Sequence, residues 1–207
     1  MTVPATEALR RLGAGNRRFV ANVRDRGTLT DPARRLELTA GQAPFAIILG
    51  CSDSRVPAEL VFDQGLGDLF VIRVAGNIVA PSQIGSVEFA AERFGTRLVV
   101  VLGHSRCGAI LATLEELGRP SEGQSRNLQS IVDRVRPSVA PLLETDLARD
   151  PEALVREAVR ANIRASTQQL RHGSELLEQL IQTDGLMVVG AEYSLETGEV
   201  EFFDDEG

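Results

Sequence analysis

The chain has 207 residues, of which 43% are hydrophobic and only 4% aromatic, so we expect one substantial core built mostly from aliphatic side chains. Its formal net charge of -7 argues against a general nucleic-acid surface, because such a surface needs a basic face. All 22 basic residues are arginine, and the absence of lysine excludes Schiff-base chemistry and a P-loop lysine.

The first predicted elements are helices. Residues 4–24 have the apolar spacing of an amphipathic helix, and Gly13 and Gly15 are expected to weaken it or divide it in two. Asp31 and Pro32 have the pattern of an N-cap followed by proline at the first helical position, which predicts a second, short helix. The apolar side of the first helix is compatible with packing on a neighbouring subunit.

Four apolar runs of strand length come next in the chain. They span residues 45–49, 69–72, 98–102 and 186–189. Apolar and polar residues do not alternate in these runs, so both faces of each strand should be buried. That is typical of a mainly parallel sheet covered by helices.

Helical spacing of apolar residues fills the segments between the strands. It predicts helices over 82–94, 108–117 and from 151 to about 180, the last with a break near Gly173. Residues 118–125 are the best candidate for an exposed loop. Near the end, two short strands around Gly198 predict a hairpin and therefore an antiparallel edge strand.

The predicted fold is therefore α/β, with a mainly parallel sheet flanked by helices in three α/β/α layers. We expect one domain over residues 1–207, in which residues 1–40 form a helical arm and residues 41–207 the α/β core. No run of about 20 apolar residues is present to span a bilayer, and no secretory signal is visible at the amino terminus. A cytoplasmic protein with neither a membrane nor a nucleic-acid partner is the expectation.

Three side chains that bind soft metals follow two of the predicted strands. Cys51 comes directly after the first strand, and His104 and Cys107 come after the third. Ligand sites of open α/β sheets lie at the carboxyl ends of strands, so these side chains could meet there. Two thiolates and an imidazole suit zinc and leave a fourth position for chemistry. The alternatives are that both cysteines are small buried hydrophobic residues, or that they form a thiol redox pair.

Asp53 and Arg55 lie two and four residues beyond Cys51. They could form an ordinary ion pair beside a turn. Beside a metal, the Asp53 carboxylate could instead reach the ion, while the Arg55 guanidinium could hold the same carboxylate in a bidentate pair. The two interactions compete for the same oxygens, which predicts a switch between a closed and an open site. His172, the other histidine, is interpreted as a solvated surface residue.

Four motifs resemble those of β-class carbonic anhydrases in residues, order and spacing, and the resemblance covers nearly the whole chain. They are Cys51-Ser-Asp-Ser-Arg-Val-Pro57, Arg73-Val-Ala-Gly-Asn77, Gly85-Ser-Val-Glu-Phe89 and Gly103-His-Ser-Arg-Cys-Gly-Ala109. The resemblance implies reversible hydration of carbon dioxide to bicarbonate and a proton through zinc-bound hydroxide.

Residue roles follow from the same resemblance. It implies one Zn²⁺ per chain on Cys51, His104 and Cys107. Asp53 and Arg55 would be the catalytic pair, with Asp53 as a possible fourth ligand in a closed state. Because two thiolates cancel the formal charge of Zn²⁺, the bound water should be less acidified than at an all-histidine site, and activity should favour alkaline pH.

The resemblance also implies a substrate pocket. Gln42 would donate a hydrogen bond to the substrate, Phe70 and Phe89 would line an apolar carbon dioxide pocket, and the amide of Gly108 would contact bicarbonate. In similar enzymes Gln42 and Phe70 enter the site from a partner subunit, so a homodimer or homotetramer is expected. Asp53, Tyr193 and external buffer are the candidate proton acceptors.

Two departures from the family pattern refine this expectation. Ile48 stands where some members have a tryptophan that builds an inhibitory bicarbonate pocket, so we expect the plant-like, open-site subtype. Ala75 stands where plant relatives have a larger apolar residue, which leaves carbonyl sulfide or carbon disulfide hydrolysis as an alternative. A further alternative is a non-catalytic, zinc-stabilised bicarbonate-binding protein, which the intact Asp53–Arg55 pair argues against.

Overall fold

The structure is a computed structural model that describes residues 2–23, 32–118 and 125–203. The expected N-cap at Asp31 and nearly all of the expected loop over 118–125 lie outside these residues. Within the described part of the chain, no helix combines the length and apolarity needed to cross a membrane.

A five-stranded sheet with the strand order β2-β1-β3-β4-β5 forms the centre of the fold. The strands are β1 Ala46–Gly50, β2 Leu69–Arg73, β3 Leu98–His104, β4 Met187–Tyr193 and β5 Val200–Phe202. The first four are parallel, and β5 pairs antiparallel with β4 at the edge. All residues of β1 and β3 are buried, as their unbroken apolar sequences predict. The predicted α/β class and the antiparallel edge strand are confirmed.

Helices cover both faces of the sheet. They are α1 Ala5–Val20, α2 Pro32–Glu37, α3 Ala58–Val61, α4 Pro81–Arg93, α5 Gly108–Gly118, α6 Arg126–Val139, α7 Pro151–His172 and α8 Glu175–Thr183. The predicted break near Gly173 is present, because α7 ends there and Ser174 caps α8. Helices α3 and α6 are absent from the sequence-based expectations.

Alternate residues of the central strands point to opposite faces and produce two buried clusters. Ile47 and Val99 belong to the cluster that also contains Cys51 and residues of α4 to α8. Ile48 and Val100 belong to the cluster that contains residues of α1 and α3. The sheet therefore lies between two layers of helices, in the predicted three-layer arrangement.

Helix α1 is continuous through Gly13 and Gly15, so the expected division is wrong. A Cβ atom on Gly15 would lie 1.7 Å from the carbonyl oxygen of Phe62, which shows that glycine here permits a close approach to the neighbouring backbone. Ala8 and Leu12 are fully buried against the sheet of the same chain. A neighbouring subunit is therefore not needed to explain the apolar side of this helix.

The strands place their carboxyl ends at one edge of the sheet. Gly50, the last residue of β1, is in register with Arg73 of β2 and with Leu102 of β3. The loops that leave β1 and β3 from this edge contain Cys51 and Cys107, and the functional site is built there.

Candidate metal centre

Two buried thiols and one buried imidazole converge at the carboxyl ends of β1 and β3. Cys51 follows β1, His104 is the last residue of β3, and Cys107 directly precedes α5. Their ligand atoms all lie within 4.8 Å of one another. The two sulfur atoms are 3.9 Å apart and both cysteines are free, so the structure brings together the three side chains that the sequence singled out.

The orientation of His104 suits metal binding. Its Nδ1 lies 2.9 Å from the carbonyl oxygen of Ser105, which favours a tautomer that donates from Nδ1 and leaves Nε2 as the ligand atom. Nε2 is buried and has no hydrogen-bond partner among the residues that the structure describes. A buried ring nitrogen without a partner is costly, and a metal ion would satisfy it. The donor set therefore fits Zn²⁺.

The thiols influence each other's ionisation. The hydrogen bond from Cys107 lowers the pKa of Cys51, with smaller contributions from His104 and the amide of Gly76. The same contact with Cys51, together with burial, raises the pKa of Cys107. Without a metal the pair therefore favours one thiolate and one thiol. A bound Zn²⁺ would allow both to ionise, because a coordinating thiol is deprotonated.

Asp53 is held by Arg55 through both carboxylate oxygens. Arg55 Nε donates to Oδ1 at 2.9 Å and Nη2 donates to Oδ2 at 2.7 Å, while the Arg55 amide also donates to Oδ1 at 2.9 Å. These hydrogen bonds hold the pKa of Asp53 well below its usual range. Asp53 Oδ2 is 3.8 Å from His104 Nε2, so the carboxylate lies beside the ring nitrogen that would hold the metal.

Arg73 fixes the loop that joins Cys51 to Asp53. From the end of β2, its Nε donates to the Cys51 carbonyl at 2.9 Å and its Nη2 donates to the Asp53 carbonyl at 2.6 Å. Sequence reasoning includes Arg73 in a family motif but gives it no role. The sequence feature that could have indicated a role for Arg73 is its position as the last residue of a strand that neighbours β1.

A residue of the hairpin between β4 and β5 holds the turn between His104 and Cys107. Arg106 has a φ of 54°, which is uncommon for a residue other than glycine. Glu196 accepts a hydrogen bond of 2.8 Å from the Ser105 hydroxyl and forms an ion pair of 2.8 Å with Arg106. The loop after β4 thus supports the backbone conformation that presents two of the three donor atoms.

Within one chain, only some of the residues expected to bind substrate lie near the thiols. Gly108 begins α5 next to Cys107. Gln42 precedes β1, and the extended chain from Ala46, at the amino end of this strand, to Cys51 spans about 16 Å. The rings of Phe70 and Phe89 are 6.2 Å apart, and Phe89 is 53% exposed. A single chain does not bring Gln42 to the thiols.

Tyr193 is the register partner of His104 in the neighbouring strand β4, whereas His172 lies at the end of α7. Tyr193 is buried in the cluster on the α1 side of the sheet, with its ring 6.3 Å from Phe19, whereas Cys51 belongs to the opposite cluster. His172 is exposed at the end of α7, in agreement with its interpretation as a surface residue.

A family model described as carbonic anhydrase matches residues 46–200. The chain is also 39% identical over 198 residues to a carbonic anhydrase of Mycolicibacterium smegmatis, which covers 94% of this chain and 91% of the relative. The chain belongs to the carbonic anhydrase family. Carbonic anhydrase 2 of Mycobacterium tuberculosis strain H37Rv is likewise 39% identical, over 193 residues, covering 92% of this chain and 89% of the relative.

Solved structures place this carbonic anhydrase in the β class. A tetrameric β-carbonic anhydrase from Sordaria macrospora has a TM-score of 0.74 at 26% identity, covering 84% of this chain and 87% of the other. The β-carbonic anhydrase CcaA has a TM-score of 0.74 at 28% identity, with 95% and 87% covered. The protein is thus a carbonate dehydratase, a lyase that catalyses the reversible hydration of carbon dioxide.

Proposed function

We propose that this β-carbonic anhydrase hydrates carbon dioxide with one Zn²⁺ per chain, held by Cys51, His104 and Cys107. The observation that carries the proposal is the convergence of three buried donor atoms within 4.8 Å, one of them an imidazole nitrogen that has no hydrogen-bond partner among the described residues. When bound, Zn²⁺ supplies a Lewis acid that lowers the pKa of a coordinated water towards neutrality and leaves one position open for it.

Asp53 and Arg55 are proposed as the catalytic pair. The Asp53 carboxylate accepts a hydrogen bond from the attacking water and orients its lone pair towards the carbon of the substrate. Arg55 holds both oxygens of this carboxylate and so keeps it from occupying the open position itself. This arrangement supports the plant-like, open-site subtype. Ile48, buried in the sheet where some members have tryptophan, supports it as well.

The proton released in the reaction is proposed to leave to external buffer. Hydration forms one carbon–oxygen bond between water and carbon dioxide and releases one proton. The lowered pKa of Asp53 makes it a weak base at neutral pH, so it orients the water rather than keeping the proton. Tyr193 is buried, with its ring in the cluster on the α1 side of the sheet, and is therefore the less suitable acceptor.

The substrate pocket is proposed to be completed by a second copy of the chain. The amide of Gly108 would contact bicarbonate within the same chain, whereas Gln42 and Phe70 would come from the partner subunit. Phe70 lies beside Phe89 of its own chain. The position of Gln42 at the opposite end of β1 from Cys51 supports this division, as does the tetrameric state of the relative from Sordaria macrospora. A homodimer or homotetramer, one domain with an amino-terminal arm, and a cytoplasmic location complete the proposal.

Stopped-flow measurement of carbon dioxide hydration, with zinc content determined on the same sample, tests the function. We expect stoichiometric zinc and turnover that rises towards alkaline pH. Asp53→Ala should lower kcat/KM by about 100-fold while zinc is retained. Asp146→Ala, which changes an exposed carboxylate, is the matched control and should leave both unchanged.

Two results would contradict the proposal. If zinc-loaded protein does not hydrate carbon dioxide, the proposed function is wrong. If Asp53→Ala is fully active, the Asp53–Arg55 pair has no catalytic role.

Parallel assays with carbonyl sulfide and carbon disulfide test the alternative substrates that Ala75 raises. We expect carbon dioxide to be the preferred substrate.

A further inference from the structure

A buried amide side chain of α7 contacts the backbone beside the metal centre. Asn162 is 2% exposed, and its Nδ2 donates a hydrogen bond of 2.8 Å to the carbonyl oxygen of Gly76. The two residues are 86 positions apart in the chain. The proposed mechanism gives Asn162 no role, and nothing in the sequence around it indicates one.

Gly76 in turn contacts a proposed zinc ligand. Its amide N–H donates to Cys51 Sγ at 3.4 Å. Gly76 has a φ of 71°, a conformation that favours glycine, and a Cβ atom here would lie 3.1 Å from the Cβ of Ala109. Because the amide and carbonyl of Gly76 share one Cα, a hydrogen bond that fixes the carbonyl also restricts the direction of the N–H.

We propose that Asn162 is a positioning residue of the metal centre, which acts through Gly76 to hold an N–H hydrogen bond on the sulfur of Cys51. This inference rests on the proposed zinc site. A hydrogen bond to a ligating sulfur withdraws charge from it and tunes the metal. Two thiolates cancel the formal charge of Zn²⁺, so this hydrogen bond would partly restore the electropositive character that activation of water needs.

The competing explanation is that Asn162 only satisfies a buried carbonyl. In that case its loss would destabilise the fold but leave the properties of the bound metal unchanged. The two explanations therefore differ in a spectroscopic and a kinetic property of the metal centre, both of which can be measured without any assay of turnover.

The test compares Asn162→Leu with Thr167→Val. Thr167 is also fully buried on α7, but its hydroxyl bonds to Ile163 within the helix, so its replacement perturbs the same helix without contacting Gly76. In Co²⁺-substituted protein, Asn162→Leu should shift the thiolate-to-cobalt charge-transfer band to longer wavelength. Release of Zn²⁺ to a chelator should become about tenfold faster. Thr167→Val should change neither property.

A second measurement examines the hydrogen bond itself. In protein loaded with an NMR-active cadmium isotope, the Gly76 amide proton should show scalar coupling to the metal through the Cys51 sulfur in the wild type and in Thr167→Val. The coupling should be lost in Asn162→Leu. If that variant does not fold, Asn162→Ser, whose side chain is too short to keep the contact, replaces it with the same expected results.

Each possible result either supports or overturns the proposed role of Asn162. An unchanged charge-transfer band and metal release rate in the Asn162 variant, or retained coupling, would overturn the inference while the zinc site stands. Absence of the coupling in the wild type would overturn it as well. Failure of the wild type to bind Co²⁺ or Zn²⁺ at all would instead remove the proposed zinc site, and this inference with it.

Discussion

Asp53 illustrates how one contact decides the behaviour of a residue. The hydrogen bonds from Arg55, followed by smaller contributions that include His104, hold the pKa of Asp53 well below its ordinary value. Asp53 is therefore a carboxylate at every pH at which the enzyme would work. Any loss of activity on mild acidification must come from another cause, such as movement of this carboxylate onto the metal.

The stability of the metal-free protein should reflect this lowered pKa. Because the pKa is depressed in the folded state, the stabilising contribution of the ion pair is present above the ordinary carboxyl pKa, about 4, and is lost only as the pH falls through the lower folded value. Urea unfolding should therefore show a constant difference in the free energy of unfolding between wild type and Asp53→Asn from about pH 5 to 8. The difference should narrow in stronger acid. A difference that changes between pH 6 and 8 would contradict this assignment.

At the scale of elements, the attachment of α1 depends on a glycine and an amide. Gly15 allows the helix to approach the backbone at Phe62, and Asn16 donates to the carbonyls of Val61 and Gly198 at 3.1 and 2.9 Å. The amide of Val200 donates to Asn16 Oδ1 at 2.9 Å. The helix is thus joined to the terminal hairpin, which helps to position the turn between His104 and Cys107.

Two alanine substitutions in α1, at Gly15 and at Gly13 two residues earlier, test the close approach against ordinary helix propensity. Gly15→Ala would place its Cβ atom 1.7 Å from the Phe62 oxygen, so the helix must shift and we expect a loss of about 1–3 kcal/mol or more. Gly13→Ala meets only the end of the Arg17 side chain at 3.6 Å and should be neutral or stabilise by about 0.5–1 kcal/mol, because alanine favours the helix. Thermal unfolding measures the change in stability of both variants. Equal melting temperatures for the two variants would show that the close approach is not maintained in solution.

Helix α6 shows why an element escaped prediction. Its apolar residues include Val132, Val135 and Val139 at helical spacing, and Ser125 caps its start by accepting from the Asn127 amide. Pro137 interrupts the helical reading of the sequence, yet it lies in the last turn. The helix is stabilised by its buried contacts with the cluster on the α7 side of the sheet.

At the scale of the whole molecule, a metal would join segments that only the sheet brings together. Cys51 and Cys107 follow different strands, β1 and β3, and both thiols are buried where the carboxyl ends of these strands meet. A ligand that binds only the folded state stabilises it by mass action. Metal binding should therefore be visible in the stability of the entire fold.

Removal of zinc should lower the melting temperature of the protein, and its return should restore it. With free zinc at 100 times the dissociation constant, the expected contribution is about 2.7 kcal/mol. Cys107→Ser should bind zinc more weakly, so the chelator should change its melting temperature much less. Calorimetry with and without chelator measures the effect, and an equal response of wild type and Cys107→Ser would argue against the proposed ligand set.

The sequence by itself determined the strand pattern, the antiparallel edge and the convergence of Cys51, His104 and Cys107. Apolar runs without alternation specify buried parallel strands, and side chains that directly follow such strands meet at one edge of the sheet. These are local patterns whose consequences depend only on the general geometry of α/β folds. The resemblance to a known family added the expected roles of Asp53 and Arg55.

Only the tertiary structure decided the supporting contacts. The hydrogen bonds of Arg73 to the loop after β1 and of Asn162 to Gly76 join segments distant in the chain, the latter 86 positions apart. The close approach at Gly15 likewise depends on where Phe62 lies after folding. Sequence spacing contains no record of such distances, because long-range packing, rather than local conformational preference, sets which backbone groups a buried side chain can reach.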